Sequence, residues 1–295
     1  ARVEAAGLDS LCTHSEGFPS ALEQLDDPPV VIYVGAGPGR LGELLEEPSV
    51  AVVGARKASP YGLEIAEEIG RGLSAAGVAV VSGLALGIDG ASHRGALARG
   101  GRAIAVLGCG ADVPYPARHR DLYRRVRAEG AVISELPPGT PPFKWSFPAR
   151  NRIMAALAEV TVVVEAARAS GSLITADFAL DLGRGVAAVP GLVTARMAAG
   201  SNQLLRDGAA FVRGPADVLG ALYGSEQPAE PEEPQLDTAL RAVLDAVESG
   251  ESPARAASTA GMPASAVRAA LGRLEMMGLV RRDGFGYYIR SAVGA

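Results

Sequence analysis

Short apolar runs recur along the first two-thirds of the chain, separated by longer segments with helical spacing. The runs VAVV (50–53), VAVV (78–81), AIAVL (103–107), AVIS (131–134), VTVVVE (160–165) and VAAV (186–189) are nearly continuous in β-branched and small apolar residues. Such runs predict strands buried on both faces, as in a parallel sheet. Helical patterns fall near 61–76, 88–99, 119–129, 150–158, 172–183 and 201–207. The alternation predicts an α/β fold, a doubly wound and mostly parallel sheet with right-handed crossovers. Ligands of such sheets sit among the loops at the carboxyl ends of the strands.

The pattern breaks at 224–235, GSEQPAEPEEPQ, which holds four glutamates, three prolines and no large apolar residue. This composition reads as a solvated linker. Beyond it, residues 236–295 predict a small separate domain. Leu240, Val243, Leu244 and Val247 form a helical stripe. Ser252 and Pro253 resemble a cap and first turn, and Gly261 a turn. A helix over 264–277 places Val267, Leu271, Leu274 and Met277 inward, and Asp283-Gly284 signals a tight hairpin. Helix–turn–helix followed by a two-stranded ribbon is a winged-helix layout.

Charge first argues against a nucleic-acid partner. The 295 residues carry a formal charge of −5, and nucleic-acid binders usually show a basic balance. Counted by segment, residues 1–223 carry −2, the linker −4 and residues 236–295 +1. Much of the acidity therefore belongs to the linker, and the cations of the large domain are clustered. The only cysteines, Cys12 and Cys109, form no CxxC pair, which argues against a zinc ribbon or disulfide framework and fits a reducing cytoplasm. His14, His93 and His119 lack metal-ligand spacing, and no metal or cofactor is expected. The longest uncharged run, 72–88, is broken by Gly77 and Gly83 and is short for a membrane span. The chain opens on Ala1 without a signal-like segment, so the natural N-terminus is expected to lie upstream.

Several strand ends carry candidate chemistry. Gly54, Arg56 and Lys57 follow the first core strand and precede a helix. A phosphate can approach the backbone N–H groups there and meet a charged side chain, although a tight turn with exposed cations would read the same. Ser82 and Gly83 occupy the equivalent place after the second strand. Asp89 and His93, four apart on a helix, form either an acid–base pair or a helix cap beside a structurally held imidazole. Residues 118–127 hold five arginines, Arg118 the first, as a solvated face or a phosphate-tracking one. The stretch 143–152, FKWSFPARNR, interleaves Phe143, Trp145 and Phe147 with Lys144, Arg150, Arg152 and Asn151. Single strands are bound this way, with cations along the backbone and rings stacked on bases; a buried aromatic anchor with rim arginines is the alternative. Gly171, Ser172 and Thr175 open another helix at a strand end, as an anion site or ordinary capping. No GxSxG, HExxH or Walker motif occurs.

In order, VVGARKASPYG (52–62), VSGLALGIDGASH (81–93), VPYPARHRDL (113–122), ISELPPG (133–139), FPARNRIMAAL (147–157), VVVEAARASGSLITADFAL (162–180), VPG (189–191) and GSNQLLRDGA (200–209) resemble the DNA-processing protein A family (DprA, or Smf). The resemblance implies an extended Rossmann-like domain over 26–223 that binds single-stranded DNA without sequence preference. It implies no catalysis, and a partnership with a RecA-type recombinase that is loaded onto incoming DNA in natural transformation. The family's DNA-contacting arginine falls on Arg56, its basic residue on Lys144, and its FPxRN element on Phe147, Arg150 and Asn151. Homodimerisation is expected around Leu204 and Leu205. Residues 1–25 are expected to be the remnant of an N-terminal helical domain.

Two rival functions remain at this stage. One is a nucleotide phosphoribohydrolase-like enzyme on the same topology, with Glu165 or Asp89 as base, although the glycine-rich loop such enzymes use reads ASGSLITA here. The other is a duplex-binding regulator whose third helix would read DNA through Ser265, Arg268 and Arg273.

Overall fold

In a computed structural model the chain forms two units, residues 1–227 and 228–295. Residues 2–224, 236–249, 262–277, 279–282 and 287–290 are described. The first unit is built on a sheet whose chain-order strands are β1 (Asp9–Cys12), β2 (Val31–Val34), β3 (Ser49–Val53), β4 (Ala79–Ser82), β5 (Ala103–Val106), β6 (Ala131–Ser134), β7 (Val160–Val163), β8 (Gly185–Ala188) and β9 (Ala210–Phe211). Their spatial order is β1-β2-β6-β5-β4-β3-β7-β8-β9. From β6 to β9 every neighbouring pair is parallel. The hairpin β1–β2 pairs antiparallel, both within itself and with β6. This is the mostly parallel α/β sheet expected from the alternation of runs, and the Rossmann-like architecture that the family resemblance implied.

The central strands are buried along their whole length because each supplies two cores. On one face Val50, Val52, Val80, Ala105, Val132 and Val162 meet Ile65, Ile69 and Leu73 of α3 (Pro60–Ala75), together with helices α4 (Ile88–Ala98) and α5 (Arg120–Glu129). On the other, Ala51, Val53, Val81, Ile104, Val106 and Val163 meet α2 (Pro38–Leu45), α6 (Ser146–Leu157) and α7 (Gly171–Asp181). Alternate residues of one strand point oppositely, so a run must be apolar throughout to fill both layers. Helices α3 and α4 touch at glycines: a Cβ on Gly95 would stand 1.9 Å from the Glu67 carbonyl oxygen, and one on Gly70 2.1 Å from that of Ser92.

Residues 1–25, expected as the remnant of an N-terminal domain, are packed into the first unit. Leu11 of β1, with Phe18, Leu22 and Leu25, belongs to the second core. Arg127 donates from α5 to the carbonyl oxygens of Ala6, Gly7 and Gly35, tying the N-terminal segment down. The glycine-rich stretch 35–39 opens α2, with Gly37 as its cap and Pro38 in the first turn. Helices α8 (Ala199–Arg206) and α9 (Pro215–Tyr223) complete the unit. Among the described residues no helix is long and apolar enough to cross a membrane.

In the second unit, α10 (Thr238–Glu248) is capped by Asp237, which accepts the Leu240 N–H at 2.8 Å. Its Leu240, Val243 and Leu244 pack with Val267, Leu271 and Leu274 of α11 (Ala264–Met276). Strands β10 (Val280–Arg282) and β11 (Tyr288–Arg290) pair antiparallel. The helix expected from Ser252-Pro253, the Gly261 turn and the Asp283-Gly284 hairpin tip lie outside the described residues.

Candidate functional site

Strand order turns at β3: the chain moves from β3 to β4 on one side, and returns with β7 on the other. Loops leaving β3 and β7 therefore diverge and leave a crevice at their carboxyl ends. A cavity of about 570 Å³ fills it, lined by residues of the loops after β3, β4 and β7 and of helices α6 and α7. Those loops are stitched by backbone. Ala55 N–H donates to the Glu165 carbonyl oxygen at 2.7 Å, and the Ala55 carbonyl accepts Ile88 N–H at 3.2 Å. Gly54 allows this approach, since a Cβ there would lie 2.6 Å from Ile88 Cγ1 and 2.9 Å from the Glu165 carbonyl oxygen. Gly87 has φ of +81°, and a Cβ on it would lie 2.1 Å from the Ala55 carbonyl oxygen.

Helix α6 brings the aromatic and basic residues. Buried Ser146 donates to the Gly108 carbonyl oxygen and accepts Phe143 N–H at 3.2 Å, pinning the helix start to the loop after β5. Phe147 then lies at the cavity wall. The Arg56 guanidinium sits over its ring at 5.1 Å, a cation–π contact, and the Tyr115 ring centroid is 5.7 Å away. Arg56 and Lys144 are exposed, line the cavity and form no ion pair among the described residues. The first turn of α7 lines the same cavity. Ser170 caps it, with its hydroxyl 2.8 Å from that of Ser172. Asn151 Nδ2 donates to the Gly171 carbonyl at 3.1 Å, locking α6 to α7. A helix start presents unpaired N–H groups and a partial positive charge. Thr175 adds a buried hydroxyl that meets no hydrogen-bond partner among the described residues.

Beneath this surface lies a buried charge pair. Arg150 Nη2 is 3.9 Å from Asp89 Oδ2, and both side chains are buried. Arg150 also donates to the Val106 carbonyl and to Asn151 Oδ1. Asp89 accepts the N–H groups of Gly83 and Ala85 at 3.2 and 3.3 Å. Burial pushes the Asp89 carboxyl above its ordinary value and the Arg150 guanidinium below its own, each opposed by the other's charge. Gly83 is where Arg150 lies against backbone, since a Cβ would come within 2.0 Å of the guanidinium.

His93 does not pair with Asp89 as an acid–base couple. It is fully buried in α4, and burial pushes its imidazole down to about 3. The unfolded chain takes up this proton near pH 6.5 while the folded one does not. Stability from this group is thus complete above that pH and is lost as pH falls from 6.5 toward 3. Urea unfolding at pH 7 and 5.5 should show a loss of about 1 kcal/mol that His93→Gln lacks. Equal losses in both proteins would contradict this assignment.

The structure brings together Gly54, Arg56, Lys144, Phe147, Arg150, Asn151, Gly171, Ser172 and Thr175 at one cavity. Four candidates stand elsewhere. Ser82 is buried beneath the site, its hydroxyl donating to the Val52 carbonyl at 2.6 Å. Gly83 lines a small recess of about 70 Å³ behind Phe147. Lys57 and Arg118 are exposed and outside the cavity lining. The expected single basic region also divides. Arg124 and Arg125 pair with Asp121 and Glu129 within α5, Arg127 holds the N-terminal segment, and Arg152 is bound by Glu135 at 2.7 Å. Tyr115, Met154 and Ile174 also line the cavity; apolar residues on helices or in a proline-flanked loop carry no sequence signal for such a place. Leu204 lies partly buried beside a second concavity of about 670 Å³, and Leu205 is half-buried on the same helix.

The carboxylates that hydrolysis would need are engaged. Glu165 accepts the Ser59 N–H at 2.8 Å and its hydroxyl as well, fastening the start of α3. Asp89 is held by two N–H groups and Arg150. Burial likewise pushes the Cys109 thiol up to about 11, leaving it un-ionised and a poor nucleophile.

Residues 9–223 match the family model described as DNA recombination-mediator protein A. A Mycobacterium tuberculosis protein bearing the DNA-processing name DprA is 41% identical over 280 residues, which are 90% of this chain and 70% of that protein. The crystal structure of DNA processing protein A from Streptococcus pneumoniae superposes with a TM-score of 0.68 at 39% identity, covering 72% of this chain and 74% of the other. DNA processing protein A from Helicobacter pylori, whose structure was described for its single-stranded DNA binding mode, gives 0.66 at 29% identity, covering 74% and 96%.

Proposed function

Given that the chain belongs to the DNA recombination-mediator protein A family, we propose that its cavity binds single-stranded DNA without sequence preference, and that the protein is a non-catalytic mediator. The observation that carries this reading is that two exposed cations, Arg56 and Lys144, line one cavity with Phe147 and with the start of helix α7. Cations and N–H groups meet phosphate oxygens, and an aromatic wall meets a base; neither contact selects a sequence. The Helicobacter pylori relative, studied as a single-strand binder, supports it.

Along with this, the bound strand is handed to a RecA-type recombinase during natural transformation, in the cytoplasm. Two copies associate through α8, around Leu204 and Leu205, so that two cavities engage one strand and gain avidity. Residues 236–295 form a winged-helix module that docks a partner. Its net charge of +1 is small for tight duplex binding.

A salt titration tests the central claim. Affinity of the full chain for an oligothymidylate should fall linearly on a log–log plot, with a slope of about −0.7 per phosphate neutralised. A duplex of equal length should bind more weakly at every salt concentration. A salt-independent affinity, or a preference for duplex, would count against this function.

A further inference from the structure

Outside the cavity lining, the loop before α6 holds two further aromatic rings. Phe143 and Trp145 are 42% and 61% exposed. Their ring planes are 8° apart and their centroids 5.9 Å apart, the offset-parallel arrangement aromatic pairs favour. Lone exposed rings are common on protein surfaces. This pair is different in being held in place. Ser146, 2% exposed, accepts the Phe143 N–H and directs its one hydroxyl proton to the Gly108 carbonyl oxygen, with that of Phe143 also in reach, and the Trp145 carbonyl accepts Ala149 N–H at 3.3 Å. The near-parallel planes give the pair a common orientation, and both rings keep exposed surface. Lys144, between the two in sequence, lines the cavity instead.

We propose that Phe143 and Trp145 form a second base-stacking platform, receiving the base next to the nucleotide whose phosphate meets Lys144. The inference rests on the single-strand reading and extends it by a subsite. The occupant follows from continuity with the cavity through Lys144, which lines it and is the immediate sequence neighbour of both Phe143 and Trp145: a strand whose phosphate is held by that amine continues past the ring pair. Every base offers a π-face, so the platform adds affinity without sequence preference. Because the platform is anchored before DNA arrives, little ordering is lost on binding.

Trp145 is the only tryptophan of the chain, so intrinsic fluorescence reports this residue alone. Titration of the full chain with an oligothymidylate of about 16 nucleotides should quench it, with the same midpoint as the anisotropy of a labelled oligonucleotide. Trp145→Ala should weaken binding by roughly 5- to 100-fold, and Trp145→Phe should restore most of it. An oligomer of abasic deoxyribose phosphate should bind without quenching. Binding by anisotropy with unchanged fluorescence, or a Trp145→Ala protein that binds as tightly as the parent, overturns the platform alone. No binding by anisotropy overturns the single-strand reading and the platform together. Fluorescence that shifts with protein concentration in the absence of DNA overturns the platform in favour of a second copy of the chain.

Discussion

Replacing Arg56 and Lys144 together by alanine is expected to weaken oligothymidylate binding by roughly 100-fold or more at physiological salt. Hydrogen bonds to charged groups contribute about 1.5–3 kcal/mol each, so losing two phosphate contacts amounts to about 3–6 kcal/mol. The log–log salt slope should shrink by about 1.4, two phosphates at roughly 0.7 each. The fold should be unaffected, because both side chains are exposed and neither forms an ion pair among the described residues. Lys57→Ala and Arg118→Ala provide the contrast. Both remove an exposed cation, but both lie outside the cavity lining, and each should change affinity only a few-fold. Unaltered binding by the double variant, measured by anisotropy, would show that the strand lies elsewhere. Equal losses from all four substitutions would mean that a diffuse field, and not a cavity, holds the DNA.

Asp89→Asn should destabilise the protein by about 3–5 kcal/mol, because it leaves the Arg150 guanidinium buried without its counter-charge. The amide still presents an oxygen to the Gly83 and Ala85 N–H groups, so the substitution isolates the charge. For a unit of this size the melting temperature should fall by on the order of 10 °C. Adding Arg150→Met should recover much of the loss, since a buried ion pair exchanged for apolar groups is often neutral. Calorimetry on the three proteins decides it. A stable Asp89→Asn protein would mean that Arg150 does not depend on the carboxylate, and a double variant less stable than the single would mean that Arg150 is held by its other contacts. Both residues line the cavity, so the pair forms part of the site's own wall.

Six of the strands were legible from the chain itself, within a residue or two at each end, because a strand buried on both faces needs an unbroken apolar run. The outer strands β1, β2 and β9 were not. Ile32 and Val34 of β2 are buried while Val31 and Tyr33 are only partly so, and β9 has two exposed residues, Ala210 and Phe211. Such elements gain their identity from the neighbour they pair with, and a strand only half buried or only two residues long carries too little pattern to announce that. The same is true of 1–25, whose place in the second core depends on contacts with distant helices.

The chemistry divides along similar lines. Sequence alone determined which residue types stand at the strand ends: glycines where backbones must approach, Arg56 and Lys144 beside Phe147, and hydroxyls at the start of α7. It also determined that the acidity is concentrated in the linker, which left room for a local basic site. Only tertiary structure decided which cations are free. Arg150 and Arg152 stand beside Phe147 in the same basic stretch, yet one is buried against Asp89 and the other bound by Glu135. Arg127 is spent on the carbonyl oxygens of the N-terminal segment. Whether an arginine is a ligand or a strut depends on the acceptors that lie within about 3 Å of it once the chain has folded. Those acceptors come from residues many positions away, and no local pattern records them.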